Sequence, residues 1–207
     1  MTVLGAGLLW FGWFGFNAGS ALGANGLAAN AFVTTNTAAA MTAITWVTIS
    51  WLHRGTPSVL GAAIGAVAGL VAITPAAGYV TPAAAVLIGL GVGVVCYGAA
   101  LLRLRARVDD ALDVFSVHGV GGAFGALATG IFATVAVNSA GTDGLLAGNA
   151  DLIGTQALGV LVVAAYSAVA TAAILTVINL IVPIRVTAPA EEAGLDLAQH
   201  GEIAYQP

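Results

Sequence analysis

Residues 8–22 read LLWFGWFGFNAGSAL, an apolar run that carries an asparagine and a serine near its end. It contains no charged residue. Such a segment predicts a helix buried away from water, where each polar side chain needs a partner or a function. The question raised by Asn17 and Ser20 is therefore whether they pack helices together or contact a ligand.

The whole chain has the composition of a polytopic membrane protein. Of its 207 residues, 59% are hydrophobic and only 7% are charged, and the mean hydropathy is +1.00. These values lie far outside the range of soluble globular domains. The net charge of -4 gives no basic surface for nucleic acid. We predict neither a metal site nor a cofactor, and no enzymatic activity.

Six apolar runs are long enough to cross about 30 Å of hydrocarbon as helices. They extend approximately from Leu4 to Leu22, Ala28 to Leu52, Ser58 to Thr74, Pro82 to Leu102, Ser116 to Val137 and Leu152 to Pro183. We therefore predict an all-α polytopic protein that lies in the lipid bilayer, with a membrane domain over residues 1–186. Residues 187–207 form a polar, acidic tail too short for its own core, and composition favours disorder there.

The basic residues predict the orientation of these spans. Loops that contain an arginine alternate along the chain with loops that contain none. All five arginines therefore fall on one side of the membrane, together with Met1. They are Arg54, Arg103, Arg105, Arg107 and Arg185. By the positive-inside rule, both termini are predicted to be cytoplasmic. We also predict that the protein lies in the plasma membrane.

Small residues recur four positions apart along several spans. Gly121 and Gly125 share a face of span five, and Gly65 and Gly69 share a face of span three. In lipid, close backbone approach supplies packing that the hydrophobic effect supplies in water. A tight bundle is predicted, and the six spans contain no internal repeat.

His118 is the one histidine predicted to lie within a span, since His53 is assigned to a loop and His200 to the tail. Two interpretations stay open: a neutral histidine hydrogen-bonded to a neighbouring helix, or a pore-lining imidazole that relays a proton. An acidic cluster precedes the same helix and is expected to place negative charge at its N-terminus. Its members are Asp109, Asp110 and Asp113.

In the first span, Trp13, Phe16 and Ser20 share one helical face, and Asn17 lies on the neighbouring one. With Met1 cytoplasmic, Ser20 falls near the external mouth and Phe16 one turn deeper. An aromatic ring can hold a desolvated cation by roughly 2 kcal/mol, and a serine hydroxyl can accept a hydrogen bond from it. The alternative is an aromatic belt with ordinary helix contacts of Ser and Asn.

Several stretches resemble signatures of the ammonium transporter family. LGAGLLWFGWFGFNAGSAL (4–22) resembles the family's sixth helix, and RVDDALDVFSVHGVGGAFGALATGIFA (107–133) resembles its tenth. RGTPSVLGAAIGAVAGLVAITPAAGYV (54–80) follows the family pattern, and the tail EEAGLDLAQHGE with a following AY is similar to the family's cytoplasmic terminus. The resemblance covers essentially the whole chain.

This resemblance implies a particular fold and assembly. Family members have eleven helices, arranged as two inverted five-helix halves plus a last helix, and they form homotrimers with a pore through each subunit. The chain resembles only helices six to eleven, so the implied fold is the second inverted-repeat half with the last helix. The chain therefore looks like a fragment, or one piece of a split protein.

The resemblance also implies roles for single residues. Ser20 matches the serine of the external recruitment site, Phe16 one of two stacked gate phenylalanines, and His118 one of the paired pore histidines. Trp13 and Asn17 match signature positions without a firm role. The implied function is transport of ammonium or ammonia through a hydrophobic, histidine-lined pore. An alternative is an ammonium sensor whose cytoplasmic face binds a PII-type signal protein, as the tail and the acidic loop suggest.

Overall fold

The computed structural model describes residues 1–203, and this range contains helices and turns but no strand. The elements are α1 (Thr2–Gly19), α2 (Gly26–Arg54), α3 (Val59–Ile73), α4 (Pro82–Ala106), a π-helical turn (Phe115–Gly119) that continues into α5 (Val120–Phe132), a 3-10 turn (Leu145–Ala147), α6 (Asp151–Ile181), α7 (Ala188–Ala193) and a second π-helical turn (Asp196–His200). The predicted all-α fold class is confirmed.

Local sequence explains where the central helices begin and end. Asn25, Ser58 and Thr81 precede α2, α3 and α4, and each side chain accepts a hydrogen bond from the backbone N–H three residues on. These N-caps satisfy amides that lack a partner inside the helix. Gly55 ends α2 with a φ of 82°, a left-handed conformation that glycine adopts without strain.

Two predicted boundaries were wrong. The fifth span was expected to reach Val137, but α5 ends at Phe132 because Ala133 is extended, with a ψ of 144°, and Thr134 N–H donates to the carbonyl of Tyr79 at 2.9 Å. His53 was assigned to a loop, whereas it lies in the last turn of α2. In both cases apolar composition does not show where backbone hydrogen bonding changes.

Three helices of the described range are long and apolar enough to cross a membrane. They are Pro82–Ala106, Phe115–Phe132 and Asp151–Ile181. Helix Val59–Ile73 is apolar but shorter, and α2 carries buried threonines such as Thr34 and Thr42. The six long helices occupy the places of the six predicted spans, while the number of membrane crossings stays a prediction.

Helices α2, α3 and α4 pack closely through small residues. A Cβ atom added to Gly69 or Gly89 would lie 2.6 or 2.7 Å from the carbonyl oxygen of Ala38. The Thr42 hydroxyl donates to that same carbonyl at 2.8 Å and to the carbonyl of Gly89 at 2.9 Å. This combination of glycine contacts and a shared hydroxyl is typical of helix packing in lipid.

Two compact units divide the chain, one over Met1–Val160 and the other from Leu161 onward. In the second unit, Arg185 forms an exposed ion pair with Glu191 at 3.4 Å. Residues 188–193 and 196–200 are helical, so composition was wrong to favour disorder there. The tail boundary at residue 187 stays a prediction, and the AY of the tail motif lies outside the described residues.

Candidate substrate cleft and pore residues

Trp13 and Phe16 form the aromatic part of the site predicted on α1. Their ring centroids lie 6.1 Å apart with an interplanar angle of 79°, an edge-to-face pair. The Trp13 indole Nε1–H donates to the hydroxyl of Thr74 at 2.8 Å, and Thr74 donates in turn to the carbonyl of Leu70. Trp13 therefore ties α1 to the end of α3 while its ring orients Phe16.

Asn17 points into the packed helices. Its side chain is buried, with 7% exposure, and its amide donates to the Thr35 hydroxyl at 2.9 Å. Thr35 donates in turn to the carbonyl of Ala31 at 2.6 Å. The position of Asn17 is that of a residue that joins α1 to α2 by a hydrogen bond.

Ser20 and Phe16 are exposed on the surface of this chain. The Ser20 hydroxyl donates to the carbonyl of Phe16 at 2.7 Å, so its hydrogen is used and the oxygen lone pairs can accept a hydrogen bond from a ligand. Both residues line a cleft of about 280 Å³. The other lining residues are Asn17, Ala21, Leu27, Ala31, Thr74, Ala77, Gly78, Tyr79 and Asn138.

Three polar residues of this cleft were not predicted from the sequence. They are Thr74, Tyr79 and Asn138. Thr74 is the last residue of the predicted third span, whereas Tyr79 and Asn138 lie between predicted spans. Only the tertiary fold brings the three residues to the end of α1. The prolines at 75 and 82 in TPAAGYVTP (74–82) are the one local signal, since proline disfavours a continuous helix.

His118 lies on the π-helical turn Phe115–Gly119. Its side chain is exposed on this chain, whereas the adjacent Ser116 and Val117 are buried. The histidine thus points away from the packed interior of these helices, as Phe16 does. Extra turns of this π type often occur at functional sites in helices. Among residues 1–203, no cluster of three metal-ligating side chains is present.

The acidic residues before this turn have separate positions. The Asp110 carboxylate accepts hydrogen bonds from the backbone N–H groups of Val114 and Phe115, each at 2.9 Å, which is the geometry of an N-terminal cap. Asp113 pairs with Arg103 at 3.0 Å. Asp109 is exposed. The first two side chains therefore fix the backbone that carries His118.

A second cavity of about 150 Å³ lies at the end of the bundle that carries Arg54, Arg103 and Asp113. Beside it, His53 Nδ1 and the hydroxyl of Tyr97 form a hydrogen bond at 2.8 Å. The Tyr97 ring also packs edge-to-face against Trp46, with a centroid distance of 5.4 Å. His53 thus has a local partner, in contrast to His118.

The ammonium transporter family model matches residues 1–205. An ammonium transporter of Bacillus subtilis is 50% identical over 206 residues, which are 99% of this chain and 51% of that protein. The chain thus spans about half the length of the curated relatives it matches.

Solved structures also match the chain over about half of their own length. Mep2 of Candida albicans superposes with a TM-score of 0.86 at 39% identity, over 95% of this chain and 45% of that one. A structure described as a sensor Amt protein superposes with a TM-score of 0.84 at 33% identity, over 95% of this chain and 48% of that one. The chain belongs to the ammonium transporter family, a family of membrane transporters.

Proposed function

We propose that this chain is the C-terminal half of a transporter that carries ammonium or ammonia through a hydrophobic pore lined by His118. The observation that carries the proposal is the shared cleft of Phe16 and Ser20 at one end of α1. Its aromatic face and acceptor oxygen suit a small cation with directed N–H groups. The names of the relatives supply the substrate.

Selectivity then follows from the chemistry of the ion. Ammonium and potassium share a charge, but ammonium donates hydrogen bonds and can lose a proton. A site with an aromatic face and a hydroxyl oxygen holds the ion while water is removed. An apolar pore beyond it admits neutral ammonia and excludes a dehydrated potassium ion, because burial of an unpaired charge is costly. In this account His118 offers a hydrogen-bonding partner inside a dry pore.

The same proposal covers assembly and orientation. Phe16 is 62% exposed, and His118 is exposed on this chain, which supports a pore wall completed by a second set of helices.

No residue of α6 within the described range is buried, although the helix is long and apolar enough to cross a membrane. We place both termini in the cytoplasm and the full-length protein in a homotrimer in the plasma membrane.

A regulatory partner belongs to this proposal as well. The tail and the acidic loop resemble the family's cytoplasmic regulatory surface, and we propose that this face binds a PII-type signal protein; the structural match to a protein described as a sensor motivates the test. Pull-down of a PII protein by the full-length protein, alongside uptake assays, separates transport from sensing. A pure sensor would retain its partner without appreciable uptake.

Competition for uptake tests the proposed function. The full-length protein is expressed in cells that lack their own ammonium uptake, and radiolabelled methylammonium entry is measured with ammonium or potassium chloride added. The proposal predicts that ammonium inhibits uptake and potassium at the same concentration does not. Equal inhibition by both salts, or no uptake above that of empty cells, would contradict it.

A further inference from the structure

The segment between α5 and α6, residues 133–150, is an ordered loop that we call the outer loop. Its backbone is fixed at several points. Thr134 N–H donates to the carbonyl of Tyr79 at 2.9 Å, and Gly144 N–H donates to the carbonyl of Ala133 at 2.8 Å. The Asp143 carboxylate accepts from Val135 N–H at 2.8 Å. The outer loop is thus held against the turn that follows α3.

Gly141 allows the outer loop to lie directly on the Tyr79 ring. A Cβ atom at position 141 would come within 2.8 and 3.0 Å of Cδ1 and Cε1 of that ring, closer than real Cβ contacts allow. The backbone of Tyr79 is held by the hydrogen bond from Thr134 N–H to its carbonyl, and its ring lies against Gly141. The wall that Tyr79 contributes to the cleft is therefore rigid.

Asn138 extends the same wall. It is half-buried, lines the cleft with Phe16 and Ser20, and its Oδ1 accepts from Ala140 N–H at 3.1 Å. This local bond orients the side chain, and Oδ1 keeps a lone pair for a second donor. The side chain thus presents both bulk and an acceptor at a fixed place on the lining.

We propose that Asn138 is a specificity-determining residue that limits the size of the ammonium ion accepted by the cleft. This inference rests on the proposed function. Ammonium is the smallest member of its series, and each methyl group replaces an N–H donor by a larger apolar group. A rigid wall at Asn138 and Tyr79 penalises that added volume, and Oδ1 favours the ion with more donors.

Two substitutions with opposite effects on the width of the cleft test the inference. In the full-length protein, Asn138→Ala removes bulk and the acceptor, whereas Asn138→Gln adds a methylene group. The readout is the KM for methylammonium divided by the inhibition constant of ammonium against methylammonium uptake. We expect this ratio to fall about tenfold in Asn138→Ala and to rise in Asn138→Gln, since one methylene in a hydrophobic pocket changes discrimination by roughly tenfold or more.

Asn149→Ala is the matched control. Asn149 lies in the same outer loop and its Oδ1 makes the same type of bond, to Asp151 N–H at 3.1 Å, but it does not line the cleft. An unchanged ratio in Asn149→Ala together with opposite shifts at position 138 supports the inference. Unchanged ratios in active Asn138 variants, or an equal shift in Asn149→Ala, would overturn it. A wild-type protein without saturable uptake contradicts the proposed function instead, and this inference with it.

Discussion

The indole Nε1–H of Trp13 donates to the hydroxyl of Thr74 at 2.8 Å. This bond joins residues 61 positions apart and holds the Trp13 ring, which forms an edge-to-face pair with Phe16. Thr74 also lines the cleft. One hydrogen bond therefore couples the packing of α1 on α3 to the position of the aromatic face at the site.

Trp13→Phe is expected to destabilise the protein by about 1 kcal/mol, because it removes this hydrogen bond and part of a half-buried ring. Thermal unfolding of the purified full-length protein in detergent measures the effect. Trp51→Phe is the control, since Trp51 is 57% exposed and is expected to change little. An equal loss of stability in the two variants would argue against a role for the Thr74 bond.

Asn17→Ala is expected to lower stability by about 0.6 to 1.7 kcal/mol, the average and the largest value for hydrogen bonds between helices in membranes. The reason is the loss of the buried bond to Thr35. The measurement is the detergent-unfolding midpoint, and Asn36→Ala serves as an exposed asparagine control. If Asn17→Ala left the midpoint unchanged and altered only the KM for methylammonium, Asn17 would be a substrate ligand instead.

Asp110→Asn is expected to cost about 1 kcal/mol, because an amide oxygen can replace only part of a carboxylate that caps two backbone N–H groups. The freed turn carries His118, so the maximal rate of uptake should fall as well. Asp109→Asn provides the control, as Asp109 is exposed. Uptake and unfolding are measured on the same preparations, and equal behaviour of the two variants would contradict the assigned cap.

Gly125→Ala is expected to prevent normal packing of α5 on α3, because the added Cβ would overlap the backbone carbonyl of Ala72. Overpacking of this kind costs about 1 to 3 kcal/mol or more. Gly122→Ala is a closely matched control on the same helix, where the nearest atom would be Val71 Cγ1 at 3.9 Å. The yield of folded protein on size-exclusion chromatography distinguishes them, and equal yields would refute the packing argument.

Sequence patterns predicted the helices well and their special turns poorly. The apolar runs located all six long helices, because a helix that crosses a membrane needs apolar residues along its whole length. The π-helical turn at Phe115–Gly119 was not predicted, since α and π turns have the same apolar composition. The early end of α5 at Phe132 depends on a hydrogen bond to Tyr79, a residue more than fifty positions away.

The candidate site was predictable only in part for a similar reason. Ser20 and Phe16 were singled out from helical spacing and from the family resemblance, and the structure places both in one cleft. Asn138 and Tyr79 lie in loops without a periodic pattern, so only the tertiary contacts bring them to that cleft. The different hydrogen-bond partners of Asn17 and Ser20 also needed the structure, because the Thr35 hydroxyl that accepts from Asn17 lies on another helix, whereas Ser20 donates to the carbonyl of Phe16 on its own helix.

We propose that His118 lies in the conducting path, and the initial rate of methylammonium uptake into proteoliposomes tests this position. Wild-type full-length protein is compared with His118→Ala and with the tail variant His200→Ala. We expect His118→Ala to lower the rate by about tenfold or more, the effect of losing one hydrogen bond to a charged or strongly polar group, and His200→Ala to leave it unchanged. If His118→Ala transports as fast as the wild type, His118 does not lie in the conducting path.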